Sequence, residues 1–331
     1  MKDSADIRVL NSQKIVKLLL DGKAYTKFQI ASHTQLSVAT ANTLLNDLYE
    51  KGVVVGDSRQ LQSVGRKSVC YQLNANYLQI ACIDFELIKA KRTFRLQIID
   101  ALGSVIETLQ DNPQSVTAQY IIDTIKPILR KYPKIKYLMV GIPGLIQDGV
   151  VQHCDCSEMD NSPLLKLLED SFKCPVHIEN DMHYKAYGYY KLHGHNNDVV
   201  TLANFPSYIL PGTSSINEGK IVRGFKQFAG MVGFLPLEIT KEKLLQKLNA
   251  HDCKEYVAKF LTSIAVVVNP RVMVLTGDLL DKDSSTWIID YMKKFVPGEY
   301  LPQFEYLENF DEIYLQGMYQ RAIDFTFKKE I

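Results

Sequence analysis

Residues 174–192, CPVHIENDMHYKAYGYYKL, change character half-way. CPVHIEND reads as a strand and MHYKAYGYYKL as a helix, so the junction delivers Asn180 and Asp181 to a helix start. A carboxylate there can cap the helix or take a proton from a bound hydroxyl. The cap is the preferred reading of Asp181.

Working outward, QIACIDFELI, RTFRLQIID and SVIETLQ read as three strands, the last two joined by a turn at 101–103. TAQYIIDTIKPILRKY follows as a helix, and IKYLMVGIPGLI as a buried strand ending in a turn at Pro143-Gly144. The theme then repeats. DVVTLANF and KIVRG are strands, KEKLLQKLNA and EYVAKFLTSIAVVV are helices, RVMVLTG is a strand, and more helix closes the chain. Strands and helices grouped twice predict an α/β body of two lobes with a cleft between them. The first lobe is expected over 76–196, with a helix at 312–331 packing back on it, and the second over 197–311.

The chain has 331 residues, 46% hydrophobic and 23% charged, which is ordinary for a globular protein with ample core. No apolar run approaches the ~20 residues of a membrane span. MKDSADIRVLNSQ lacks the apolar core of a secretory signal. Cys70, Cys82, Cys154, Cys156, Cys174 and Cys253 are scattered, several in apolar strands, the pattern of reduced thiols. A cytoplasmic protein without a membrane partner is expected.

Residues 1–75 differ from the body. They hold ten Lys/Arg against six acids, or +4, in a chain whose net charge is +1. NSQKIVKLLLDG is an amphipathic helix with Ile15, Leu18 and Leu19 inward and Gly22 as its stop. In TKFQIASHT, Thr26 and Gln29 have the spacing of a capping box. A tight turn at 34–36 leads into LSVATANTLLNDLYEKG, whose Ala41, Leu44, Leu45 and Leu48 make one apolar stripe, with Ser37 as cap. Gln35 falls in that turn where Gly would be easier, since left-handed backbone costs a non-Gly residue about 1 kcal/mol. GVVV and SVCYQL then read as two strands around the loop 56–67.

Three helices, the last two closely linked, followed by a strand pair, make a winged helix-turn-helix over 1–75. The exposed start of the third helix would enter a DNA major groove. Thr26, Ser37, Thr40, Asn42 and Thr43 are short donors and acceptors suited to base edges and phosphates. Arg59, Arg66 and Lys67 on the wing would meet phosphates or a minor groove. The reading helix has no Lys or Arg before Lys51, so binding per head is weak and calls for a dimer.

The order GVVV…GRKSVCYQLN, ACIDFE, VGIPGLIQDGVV, PVHIENDMHYKAYG, GKIVRGFKQFAGMVGFLPL and VMVLTGDLL resembles the ROK family of repressors and sugar kinases over almost the whole chain. The resemblance implies a ribonuclease-H-like (actin-like ATPase) body. It also marks departures. Kinases of that fold open with Asp-x-Gly-x-Thr, whereas this chain has Asp84-Phe85-Glu86-Leu87. Bulk and negative charge stand where backbone amides would approach phosphate. The family's glycine-rich phosphate loop corresponds to YILPGTS, 208–214, in which only Gly212 survives and Pro211 removes a donor. The adenosine-side Gly-Gly-Gly is Thr276-Gly277-Asp278.

The sugar side is mixed. Asn180 and Asp181 match the family's pair, in which the Asp is the kinases' general base. The family's AGE-x-GH is Ala229-Gly230-Met231-Val232-Gly233-Phe234, so two sugar-binding polar residues are apolar here. The zinc run that follows it in the family is missing. HCDC at 153–156 lies elsewhere in the chain and has no second half, so no metal or other cofactor is expected.

These readings predict a DNA-binding regulator, a repressor of a carbohydrate operon, with a catalytically inactive body. Its partners are a double-stranded DNA operator, a second copy of itself in a dimer or tetramer, and a sugar-like effector bound at Asn180 and Asp181. The competing expectation is an ATP-dependent hexose kinase with Asp181 as base.

Overall fold

The computed structural model describes residues 4–59, 68–195, 198–237, 240–250 and 253–329. It begins with α1 (Ser4–Leu19), β1 (Tyr25–Thr26), α2 (Lys27–Thr34), α3 (Val38–Glu50), β2 (Val54–Arg59) and β3 (Ser68–Leu73). The capping box at Thr26–Gln29 forms on both sides, and Ser37 Oγ accepts from Thr40 N at 3.1 Å. Gln35 adopts φ 56°, ψ 36°, the left-handed turn that lets α3 leave α2 at once. The α3 stripe is buried, as are Ile15 and Leu19 of α1. β1, β3 and β2 form a small antiparallel sheet in that order.

The body follows as β4 (Gln79–Ile88), β5 (Lys91–Asp100), β6 (Val105–Asp111), α4 (Ala118–Lys131), β7 (Ile135–Ile142), β8 (Leu145–Gln147), β9 (Val150–Gln152), α5 (Leu164–Ser171), β10 (Val176–Asn180) and α6 (Asp181–Leu192). It continues with β11 (Val200–Asn204), β12 (Gly212–Asn217), β13 (Lys220–Ile221), α7 (Lys241–Leu248), α8 (Lys254–Val267), β14 (Val272–Thr276), α9 (Ser284–Met292), β15 (Gln303–Tyr306) and α10 (Asp311–Lys329).

Two five-stranded sheets share one topology. The first runs β10-β7-β4-β5-β6 and the second β13-β12-β11-β14-β15. In each, a three-strand antiparallel meander is extended by two parallel strands beside its first member. The repeated theme read from the sequence is therefore a repeated strand order. Several elements lie outside the pattern legible in the sequence: β12 begins inside the stretch 208–214 that the resemblance marks as a phosphate loop, and β1, β9, β15 and α5 carry no clear periodicity.

Helix α6 packs on both sheets, and α10 packs on α6 and the first sheet. Residues 181–190 of α6 are all buried, including Asp181, His183 and Lys185. Ordinary amphipathicity cannot hide three charged or polar side chains. Each is buried with a partner.

Candidate functional site

The β10–α6 junction is built by Asn180, not Asp181. Asn180 Oδ1 accepts from His183 N at 3.2 Å and so caps α6, while its Nδ2 donates to Gly144 O at 2.8 Å. Both ends of the amide are used in fixing the strand-to-helix corner. The expected cap at Asp181 is thereby corrected: a residue with extended backbone must precede the first turn, and Asn180 has it while Asp181 is already helical.

Asp181 instead faces along its own helix. Lys185 Nζ donates to Asp181 Oδ2 at 2.8 Å and also to Glu86 Oε1 of β4. Lys185 is 1% exposed, and Phe310 and Tyr314 rings close over its ammonium at 4.0 and 4.9 Å. Burial alone would lower the lysine pKa, but the two carboxylates outweigh it and hold the group charged. Glu86 is the residue that stands in place of the expected glycine. Its carboxylate, the lysine and Asp181 form one buried triad across the base of the cleft. The sequence signal for it was the i, i+4 spacing of Asp181 and Lys185, which the reading passed over.

A second cluster ties the lobes together. Glu179 accepts from His183 Nδ1 at 2.8 Å and from Arg223 Nη2 at 2.5 Å. Burial would raise Glu179, yet the His183 hydrogen bond and the Arg223 guanidinium beside it hold it at about 2. Arg223 belongs to the second sheet's side of the cleft, following β13.

On the second-lobe wall, three backbone amides next to and at the start of 208–214 already have acceptors. Phe205 N donates to Thr276 O at 2.8 Å, Ser207 N to Asp278 Oδ1 at 2.6 Å, and Tyr208 N to Asn249 Oδ1 at 2.9 Å. Asp278 also accepts from Ser207 Oγ. Gly277, with φ 102°, cannot be replaced, because a Cβ there would lie 2.4 Å from Phe205 backbone.

Between the walls is a cleft of about 890 Å³. Met231 and Phe234 line it where the resemblance implied Glu and His. Phe234 stacks edge-on to His153 at 5.7 Å, and Lys241 Nζ lies 3.3 Å from the Phe234 ring centre. His153 thus turns to the second lobe, whereas Cys154 and Cys156 belong to the first lobe's core. Burial raises both thiols, Cys156 to about 12, so neither is a thiolate near neutral pH.

At the N-terminal end, Ser37, Thr40 and Thr43 are exposed on one end of α3. Ser37 and Thr40 hydroxyls meet at 2.8 Å. Asn42 is half-buried, with Oδ1 accepting from Lys27 Nζ. Thr26 Oγ1 is committed to its capping box. Phe28 and Val38, at the starts of α2 and α3, are exposed beside this face and were not singled out from the sequence. Arg59 lies at the end of β2, and nothing is described of its side chain; Arg66 and Lys67 lie outside the described residues.

Residues 91–244 match the profile of the ROK family. Over that stretch the chain is similar to the ROK family domain. Around that domain, the xylose repressor of Caldicellulosiruptor bescii is 26% identical over 238 residues, 69% of this chain and 58% of the repressor. The matched stretch is thus under two thirds of that relative's length. Among solved structures, a ROK family transcriptional regulator homologous to the E. coli MLC protein superposes with TM-score 0.71 at 13% identity, covering 97% of this chain and 98% of its own. The ROK hexokinase of Thermus thermophilus superposes with TM-score 0.58 at 15% identity over 75% of this chain and 100% of its own. The α/β body is therefore a fold common to ROK regulators and ROK sugar kinases. No helix among the described residues is long and apolar enough to cross a membrane.

Proposed function

We propose that this ROK protein is a sugar-responsive transcriptional repressor. Residues 1–75 are a winged helix-turn-helix. Residues 76–196, with α10, and 197–311 are the two lobes of a ribonuclease-H-like body that serves as dimer platform and effector sensor. A dimer sets two reading helices about 34 Å apart, or a multiple of that, for two operator half-sites. Ser37, Thr40, Asn42 and Thr43 are the base- and phosphate-facing residues, Thr26 flanks them, and Arg59, Arg66 and Lys67 contact the backbone from the wing.

The observation that carries the reading is the exposed, small polar face at the start of α3, where Ser37, Thr40 and Thr43 are accessible; the engaged groups of the cleft support it against the kinase alternative. The candidate base Asp181 is ion-paired with Lys185, and the amides of Phe205, Ser207 and Tyr208 are bonded to Thr276, Asp278 and Asn249. Phosphoryl transfer is mostly positioning and charge stabilisation, so groups engaged in this way favour binding over catalysis. The names of repressor relatives agree with the reading.

The test is a gel shift on the DNA upstream of the protein's own gene, across a salt series. Binding at least a thousandfold tighter than to random duplex is expected. Parity with random duplex at every salt concentration refutes the proposal. The kinase alternative is favoured by Asp181 alone. Incubation with ATP, Mg²⁺ and a hexose panel is expected to give no turnover, and turnover abolished by Asp181→Asn would reverse the ranking.

A further inference from the structure

The second-lobe wall of the cleft holds oxygen atoms with nothing to receive. Asn204 of β11 stands opposite Thr276 of β14 in register, and both line the cleft at their strand ends. Asn204 Oδ1 and Thr276 Oγ1 are shielded and have no hydrogen-bond partner among the described residues. Thr276 is 0% exposed. Gln227 Oε1, also of a cleft-lining residue, is in the same state. A shielded oxygen without a donor is costly, so such a wall is complementary to a ligand that brings O–H or N–H groups.

Charge narrows the class. Six carboxylates and three lysines line the cleft, and one of those lysines, Lys185, is held between Glu86 and Asp181. A phosphate brings acceptors and negative charge to a wall that offers acceptors and negative charge. A polyol brings donors and no charge. Size narrows it further. The cleft of about 890 Å³ is near the upper end of the range for small-molecule sites, with more room than one sugar ring fills. The apolar Met231 and Phe234 also line it, and they suit the flat face of a ring rather than its hydroxyl edge.

Building on the sugar-responsive reading above, we propose that the effector is an uncharged disaccharide or glycoside that spans the cleft. One unit sits at the Asn180 and Asp181 wall, where Asp155 also lines the cleft. The second donates hydroxyls to Asn204 and Thr276, on the wall that faces nucleotide in kinases of this fold.

The test uses the full chain in titration calorimetry with xylose, glucose, xylobiose, cellobiose, maltose, lactose, glucose 6-phosphate and Mg-ATP. At least one disaccharide is expected to bind tenfold or more tighter than its own monosaccharide, and neither phosphorylated probe to match it. Thr276→Val deletes the hydroxyl at constant shape. It is expected to raise the melting temperature of the free chain, to cut disaccharide affinity at least fivefold and to leave monosaccharide affinity unchanged. Thr276→Ser keeps the hydroxyl and should retain the disaccharide's advantage. The proposal is overturned if every disaccharide binds no better than its monosaccharide, or if a phosphorylated probe binds tightest. A lower melting temperature for Thr276→Val also overturns it, since the hydroxyl would then be satisfied in the free protein. Operator binding in the gel shift with no disaccharide preference sinks this subsite alone, whereas absent operator binding sinks the functional reading beneath it.

Discussion

Lys185 decides the chemistry of the cleft more than any other single residue. Its ammonium compensates two buried carboxylates, Glu86 and Asp181. Removing one member of such a buried group leaves uncompensated charge, which typically costs about 3–5 kcal/mol. Lys185→Met is therefore expected to lower the urea-unfolding free energy by that much, and an unchanged midpoint would show that the triad is solvated. His177 makes a pH prediction. It is hydrogen-bonded to Tyr184 Oη at 2.8 Å and packs on Phe325, and burial pulls its pKa down to about 4. The unfolded chain, with an ordinary histidine near 6.5, then binds more protons than the folded one between those values. The His177 contribution is accordingly full above pH 6.5 and is lost as pH falls toward 4, by on the order of 3 kcal/mol. The difference between parent and His177→Gln urea midpoints across that window should show that slope.

The α6–α10 crossing holds the body's centre, and two glycines permit it. A Cβ on Gly188 would lie 1.8 Å from Ile313 O, and one on Gly317 would lie 1.9 Å from Tyr184 O. The helices touch backbone to backbone at these points, and Tyr187 Oη bridges to Asp324 at 2.7 Å beside them. Gly188→Ala must push the helices apart, although alanine is the better helix former. Overpacking at a backbone contact outweighs that gain, so a net loss of about 3 kcal/mol is expected. Thermal unfolding checks it, and a melting temperature equal to or above the parent's would mean the helices can slide.

Across the whole molecule, one hydrophobic core runs from the N-terminal helices into the body. Ile15, Leu19, Leu45 and Leu73 belong to the same buried cluster as Ile80, Ala101, Tyr137 and Tyr319. Tyr319 of α10 packs on Gly103 and donates to Ala101 O at 3.0 Å, next to Leu102, which approaches Gly22. The other end of α10 carries Phe310 and Tyr314 over Lys185. A single helix therefore links the cleft triad and the core that seats the first helices. If a cleft ligand changes operator affinity by some factor, linkage requires the operator to change ligand affinity by the same factor. Paired gel-shift and calorimetric titrations are expected to agree within error. Tyr319→Ala is expected to shrink that factor while leaving cleft affinity in the DNA-free protein unchanged.

Sequence alone determined what depends on neighbours a few residues apart. The Thr26–Gln29 capping box, the Ser37 cap, the left-handed Gln35 and the buried stripe of α3 are local, and each is set by steric and hydrogen-bonding rules acting within one turn. The doubled arrangement of strands and helices was legible for the same reason, since periodicity records which face of each element is buried. The loss of the phosphate-loop glycines was legible too, because backbone access is a property of residue type. Only the tertiary structure decided what meets across the chain. It gave the α6 cap to Asn180 by setting Gly144 against its amide, and brought Glu86 to Lys185 from 99 residues away. It set Asp278 against Ser207 from 71 residues away. Such pairings carry no spacing signal, because burial and charge compensation are settled only when separate elements pack together.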